Sequence, residues 1–385
     1  MRYAVVTVGY NRPASMKRLL DSLCDAQYDM PCDLIISLDY GKDQEKLVEI
    51  GEAVDWKYGE KKIRAFKENQ KLRNHILQCG DLTKEYDAVI VLEDDLVVAE
   101  GFFRYVTEAV EFYKGDNNIA GISLYTHRTN PGNGRPFEAQ FNGYDAFLMQ
   151  YAMSWGQCWT RKQWRGFREW YNKQDGIPDD GVIPSYVVAW NQQSWLKYYI
   201  RYTAEKGMFH VYPYFSLSTN ASEVGEHNNQ KSSAYQVPLV HGKVTNYRFP
   251  MIEQAVKYDS YFERIFQNGD ITRFQGKVIL DLYGLRKHYN DADILISTQV
   301  LDYRIIKKIG LQYRPHEVNM LFPEVGDDIY IYDLNSRQKK PDKGNKLSLV
   351  SYDVKAEPPR MTLLHGWNGM KNSIKNRLKR KLKRK

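Results

Sequence analysis

The chain has 385 residues, 43% hydrophobic and 14% aromatic, with Tyr the commonest aromatic at 29 copies and a formal net charge of +8. That length and composition exclude a disordered chain and allow one large domain with appendages or two modest ones, while no apolar run approaches the about 20 residues a bilayer-spanning helix needs. The charge is uneven: residues 371–385, KNSIKNRLKRKLKRK, carry nine Lys or Arg and no acid, leaving the other 370 residues at −1, so no nucleic-acid partner is expected.

In chain order, YAVVTVG (3–9) reads as a β-branched strand ending at Gly9, and 14–28 follows with Leu19, Leu20 and Leu23 on one helical face. DLIISL (33–38) is a second strand, closed by Asp39-Tyr40-Gly41. A helix over 43–54, a short strand over 62–66, a helix over 69–79, a strand over 87–92, a helix from about 101 to 114 and a strand over 119–125 continue the alternation. Apolar strands alternating with helices predict an α/β fold with a mainly parallel sheet covered on both faces. Ligands bind such sheets at the carboxyl ends of the strands, where Asn11-Arg12, Asp39 and Glu93-Asp94-Asp95 all fall.

The middle, about 137–235, changes texture: it is dense in Trp and Tyr and holds two loop-like stretches, DGIPDDGVIP (175–184) and STNASEVGEHNN (218–229). Further on, 277–284 and 292–298 read as strands, 311–334 as a short β-rich piece and 335–347 as a polar linker. The expected division is a catalytic domain over 1–235, an accessory region over 236–366 and a basic amphipathic helix over 367–385. MRYAVVTVGYNRP reads as a strand and its loop rather than a signal peptide. Cys24, Cys32, Cys79 and Cys158 have no metal-ligand spacing, so reduced thiols in a cytoplasmic protein are expected.

VIVLEDDLVVAEGFF (89–103) places three adjacent carboxylates at the end of a buried strand, and the apolar run resumes immediately after them. Uncompensated buried carboxylates are costly, so a cation, a set of donors or water must meet them. Hard oxygen ligands suit Mg²⁺ or Mn²⁺ bridging to diphosphate oxygens.

VIVLEDDLVVAEGFFRYV resembles the metal-binding segment of the GT-A fold glycosyltransferases, most closely the N-acetylglucosaminyltransferase I type. VTVGYNRPASMKRLLDSL and ISLDYGKDQEK resemble the opening strands of that group and of the family-two bacterial glycosyltransferases. The resemblance covers about residues 1–230. It implies a GT-A domain in which Asp39 contacts the base of a nucleotide-sugar, Arg12 sits near the diphosphate with Asn11 beside it, and Asp95 coordinates the metal. Glu93 and Asp94 would meet ribose, sugar or metal-bound water. SWGQCW (154–159) and STNASEVGEH (218–227) resemble later segments, which adds Trp155 to the donor site and His227 as a metal or diphosphate ligand. A divalent ion would stabilise the departing nucleoside diphosphate. UDP as the nucleotide and inversion at the anomeric carbon are implied by the resemblance alone.

Inverting relatives carry a general base in a Trp-Asp-Asp-Trp-like segment. Here YVVAWNQQSWLKYY (186–199) offers Asn191, Gln192 and Gln193, and amides cannot take the proton. Asp179 and Asp180, just upstream, are the substitutes; as a plain turn, IPDDG needs no catalytic role. In the tail, Met370, Ile374, Leu378 and Leu382 recur every four residues between Lys and Arg, a pattern that suits an anionic membrane surface. The resulting expectation is a metal-dependent transferase acting on a saccharide acceptor, lipid-linked and used in bacterial surface polysaccharide synthesis, held peripherally at the inner face of the membrane. The rivals are a catalytically impaired, membrane-associated sugar-nucleotide-binding protein and a sugar nucleotidyltransferase, the latter lacking its Gly-rich basic loop.

Overall fold

The alternation of strands and helices holds through residue 123 of the computed structural model, which describes residues 1–221, 235–242, 244, 246–266, 274, 276–289, 292–339, 346–354 and 358–382. The first half runs β1 (Tyr3–Gly9), α1 (Pro13–Asp25), β2 (Cys32–Leu38), α2 (Gln44–Glu52), β3 (Lys61–Ala65), α3 (Lys71–Gly80), β4 (Ala88–Glu93), β5 (Leu96–Val98), α4 (Phe102–Phe112) and β6 (Ile119–Ser123). It continues through β7 (Ala146–Met149), β8 (Gln157–Thr160), α5 (Arg161–Tyr171), α6 (Ser185–Val188), α7 (Leu196–Glu205), β9 (Phe209–Pro213) and β10 (Ser218–Asn220). Helix α1 stops at Asp25, short of the expected residue 28, because Ala26 turns extended. Tyr28 then leaves the helix to pack edge-on against Trp56, 5.1 Å between centroids.

The strands β1, β2, β3 and β4 pair in parallel, with β1 central between β2 and β4. Every residue of β1 and β2 is buried, as expected of strands covered on both faces. Leu19, Leu20 and Leu23 of α1 join one core layer with Phe102 and Phe103 of α4. The opposite layer gathers α3, α5 and α7 around Trp159, Trp164 and Tyr199. Beyond β4 the sheet is mixed: β8 runs antiparallel between β4 and β6, and β7 antiparallel beside β9. All four cysteines are free thiols.

The large sheet does not end at residue 235. Strands β11 (Lys257–Tyr258) and β12 (Arg264–Ile265) extend it beside β7, completing an order of β12-β11-β7-β9-β6-β8-β4-β1-β2-β3. Two-residue strands carry no readable periodicity, which is why the sequence suggested an earlier boundary. A second sheet follows, in which β13 (Val278–Asp281), β14 (Ile294–Ser297), β15 (Tyr303–Ile309) and β16 (Ile329–Arg337) take the order β13-β14-β16-β15. It carries α8 (Val318–Leu321) and α9 (Lys346–Asp353). The expected linker therefore begins inside β16. Arg135 ties the two sheets together by donating to Asp353 at 2.7 Å and to the Leu282 carbonyl at 2.7 Å.

The terminal helix α10 spans Pro359–Leu382, starting earlier than the expected residue 367. Met361, Leu363, Leu364, Trp367, Met370 and Ile374 are all exposed on it. Among the described residues, no helix is long and apolar enough to cross a membrane.

Candidate functional site

The carboxyl ends of β1, β2 and β4 lie side by side, and each delivers polar groups to the same edge. After β1 the chain turns through Asn11, whose φ of 53° is left-handed, a conformation Asn tolerates better than most residues. The Asn11 Oδ1 accepts the Asp43 N–H at 3.2 Å, holding the loop after β2 against the loop after β1. Gly41 is needed there, since a Cβ would collide with Asn11 Oδ1. At the end of β2, Asp39 is buried and its Oδ1 accepts N–H groups from Tyr40 at 2.8 Å and Gln70 at 2.7 Å.

At the end of β4, Asp94 is 2% exposed. Its Oδ2 accepts the Tyr10 N–H at 3.1 Å and its Oδ1 pairs with the Arg12 guanidinium. Arg12 reaches Asp95 Oδ2 as well, at 3.2 Å. Burial pushes the Asp94 carboxyl up to about 6, with Arg12 and the Tyr10 N–H opposing the rise. Arg12 itself is raised: burial opposes its charge, but the two aspartates outweigh burial. Glu93 is partly open to the cleft, yet the surrounding protein desolvates its carboxylate. That burial, with the neighbouring Asp95 and Asp94 charges, pushes it up to about 8. Among the described residues, the cluster thus sets three carboxylates against one cation, Arg12.

After the acids the chain stays inside the fold, as the resumed apolar run suggested. β5 pairs antiparallel with β10, and the Ala221 N–H donates to the Asp95 carbonyl at 2.8 Å. That pairing sets Asn220 and Ala221 beside Leu96 and Asp95; His227 lies outside the described residues. Ser218 donates to the Trp155 carbonyl at 2.6 Å, while Ser154 hydrogen-bonds Glu93. The Trp155 ring meets Tyr125 edge-on at 4.8 Å and Tyr235 at 4.8 Å. Asn11, Arg12, Asp39, Glu93, Asp94, Asp95 and Trp155 therefore belong to one connected strand-end region.

Asp179 and Asp180 go to other partners. Both oxygens of Asp180 are taken by Arg201 of α7, at 2.5 and 2.9 Å, and this pairing holds its carboxyl below the usual range. Asp179 accepts the Ser185 hydroxyl at 2.8 Å and faces Lys287 at 3.8 Å. Sequence reasoning missed Tyr10, Gln70 and Ser154, which act through a backbone N–H or a lone hydroxyl and so leave no pattern.

No protein-family model matches the sequence, and no curated protein does. Solved structures show partial likeness. S. aureus TarS 1–349 in complex with UDP-GlcNAc is 12% identical, with a TM-score of 0.39 over 59% of this chain and 60% of that one. The mannosyltransferase PcManGT from Pyrobaculum calidifontis, in complex with GDP-Man and Mn²⁺, is 11% identical, with a TM-score of 0.37 over 59% of this chain and 58% of that one. GalNAc-T7 with UDP, GalNAc and Mn²⁺ is 12% identical, with a TM-score of 0.39 over 56% of this chain and 42% of that one. The chain thus spans less than two thirds of the length of each.

Among the described residues, no group of three or more His, Cys, Asp or Glu side chains is placed to hold a metal ion. The donor set still suits a hard divalent ion that keeps other ligands. Among the described residues, Asp95 Oδ1 is buried with no hydrogen-bond partner, and the neighbouring acids are short of positive charge. A cation meeting Asp95 would satisfy that oxygen and relieve the repulsion that raises Glu93.

Proposed function

We propose that this protein is a metal-dependent GT-A glycosyltransferase that moves a hexosyl or N-acetylhexosaminyl group from a nucleotide-sugar, UDP-linked, to a saccharide acceptor. The observation that carries the reading is the cluster at the end of β4, where Asp94 and Asp95 share Arg12 and Asp95 keeps an unpartnered buried oxygen. The motif resemblance of the three strand ends supports it.

In this reading Asp39 and the loop it anchors bind the base, and Asn11 fixes that loop to the end of β1. Asp95 holds Mn²⁺ or Mg²⁺, which when bound supplies Lewis-acid stabilisation of the departing diphosphate. Arg12 adds a fixed positive charge beside the diphosphate, oriented by Asp94, so no reorganisation is needed as charge develops. Glu93 and Asp94 orient the ribose or sugar, and Trp155 offers an aromatic wall. His227 is a candidate ligand on the loop that follows β10. Asp180 is committed to Arg201, so the proton acceptor for an inverting reaction is assigned to Asp179, whose Oδ1 accepts the Ser185 hydroxyl and whose Oδ2 faces Lys287 only at 3.8 Å.

The exposed apolar side chains of α10 and the acid-free basic run after them support peripheral binding to the anionic inner face of a membrane, and with it a lipid-linked acceptor in bacterial surface polysaccharide synthesis. One observation favours a second reading: the amides at Asn191, Gln192 and Gln193 fit a protein that binds a sugar nucleotide without turning it over. Incubation with a panel of nucleotide-sugars, Mn²⁺ and saccharide acceptors, read as released nucleoside diphosphate, separates the two. Release from one donor supports the transferase, and tight donor binding without release supports the binding protein.

A further inference from the structure

Among the described residues, two cations on the strand-end side of the large sheet have no carboxylate to answer them. Arg73, in the first turn of α3, lays its guanidinium over the Tyr198 ring, 4.9 Å from the centroid. Lys197, in the first turn of α7, stands 5.8 Å from the centroid of the same ring. Lys197 is 7% exposed. Its ammonium gives one donor to the Trp190 carbonyl at 3.0 Å. The buried Nε of Arg73 has no hydrogen-bond partner, and among the described residues neither side chain makes an ion pair with a carboxylate.

Like charges held together in a desolvated place repel one another, and an incoming anion relieves both the repulsion and the lost hydration. The effect is visible in Lys197, whose pKa is lowered by burial and then by the Arg73 charge. A guanidinium and an ammonium together supply a planar fork and a point charge, a combination suited to the oxygens of a carboxylate or phosphate.

The surroundings favour an anion reaching this pair from the reaction side. α3 begins beside the donor region, because the Gln70 N–H donates to Asp39 at 2.7 Å. The loop leading into α7 presents Asn191, Gln192 and Gln193, all exposed. Acids in those positions would repel a negative ligand; amides do not. The departure from the Trp-Asp-Asp-Trp pattern and the uncompensated cations then have one common cause.

The geometry points to an anion subsite between Arg73 and Lys197 that receives a carboxylate or phosphate carried by the acceptor, so that the acceptor is an acidic saccharide. This rests on the transferase reading for the word acceptor, while the binding itself is testable without turnover. The probes are a glucuronate-terminated tetrasaccharide, its carboxyl-reduced twin, and that twin phosphorylated on the terminal sugar, titrated calorimetrically against the full chain. Wild type should bind at least one acidic probe about 10-fold more tightly than the neutral twin, with the gap shrinking at high salt. The probe preferred tells carboxylate from phosphate. In R73Q and K197Q the acidic preference should fall to about twofold, while affinity for the neutral twin, which reports an intact fold, holds.

Equal wild-type affinity for all three probes overturns the inference. So does a loss in R73Q and K197Q that falls on UDP instead of the acidic probe, since the cations would then serve the donor diphosphate. Failure of the transferase reading shows separately, as no nucleoside diphosphate released from any donor, and leaves the probe comparison decisive.

Discussion

Replacing Arg12 by Gln removes the one cation that, among the described residues, faces the strand-end acids, and leaves Asp94 as a buried charge. The Asp94 side chain is 3% exposed, and with Arg12 gone its remaining named partner is the Tyr10 N–H. Breaking a buried ion pair from one side costs about 3–5 kcal/mol, and since Arg12 is itself 26% exposed we expect the lower end, about 3 kcal/mol. Most of that cost is the stranded charge rather than the lost contact. R12Q/D94N should therefore recover about 2 kcal/mol of it, because Asn can still accept from Tyr10. The cost should also depend on pH. Asp94 titrates at about 6 in the folded protein, above its ordinary value of 3.8, so below pH 6 it is already neutral and Arg12 matters less. Urea denaturation of wild type, R12Q, D94N and the double variant, in EDTA at pH 7.5 and pH 5, measures all of this. A strictly additive cycle, or an R12Q cost that is the same at both pH values, would refute the reasoning.

Glu317 is buried and accepts the Tyr258 hydroxyl, and burial raises its pKa from 4.5 to about 6. The native state keeps a proton there that the unfolded chain releases, so this group's contribution to stability falls as pH rises from 4.5 through 6. E317Q, which cannot ionise, should gain about 2 kcal/mol on wild type between pH 4 and pH 8 in denaturation curves; parallel curves would remove the assignment. Deleting residues 359–385 should move the protein from sedimenting with anionic vesicles to the supernatant, whereas unchanged co-sedimentation would dismiss α10 as a membrane element. D179N should lower transfer to acceptor by about 100-fold or more while donor affinity stays near wild type, and turnover within a few-fold would place the base elsewhere.

The first half of the fold was legible because its strands are long, apolar and separated by helices of ordinary length. β1, β2 and β4 each differ from their expected bounds by no more than a residue or so, and once they lie parallel Arg12, Asp39 and Asp94 must share an edge. The second half was harder to read for physical reasons. β11 and β12 are two residues each, held by the pairing of β11 with β7 and of β12 with β11 rather than by any local pattern. Asp180 reads as a catalytic candidate in sequence, but its partner Arg201 arrives from a helix 21 residues away, a tertiary fact with no local signal. The same holds for Arg73 and Lys197, which lie on different helices and each approach the Tyr198 ring.

The central claim is that Asp95 and its neighbours bind a nucleoside diphosphate through a divalent ion. Calorimetric titration of UDP into wild type and D95N, with Mn²⁺ and with EDTA, tests it most directly. The account predicts that Mn²⁺ tightens UDP binding to wild type by about 10-fold or more and that D95N loses this gain. UDP binding that ignores Mn²⁺, or a Mn²⁺ effect that survives in D95N, would contradict it.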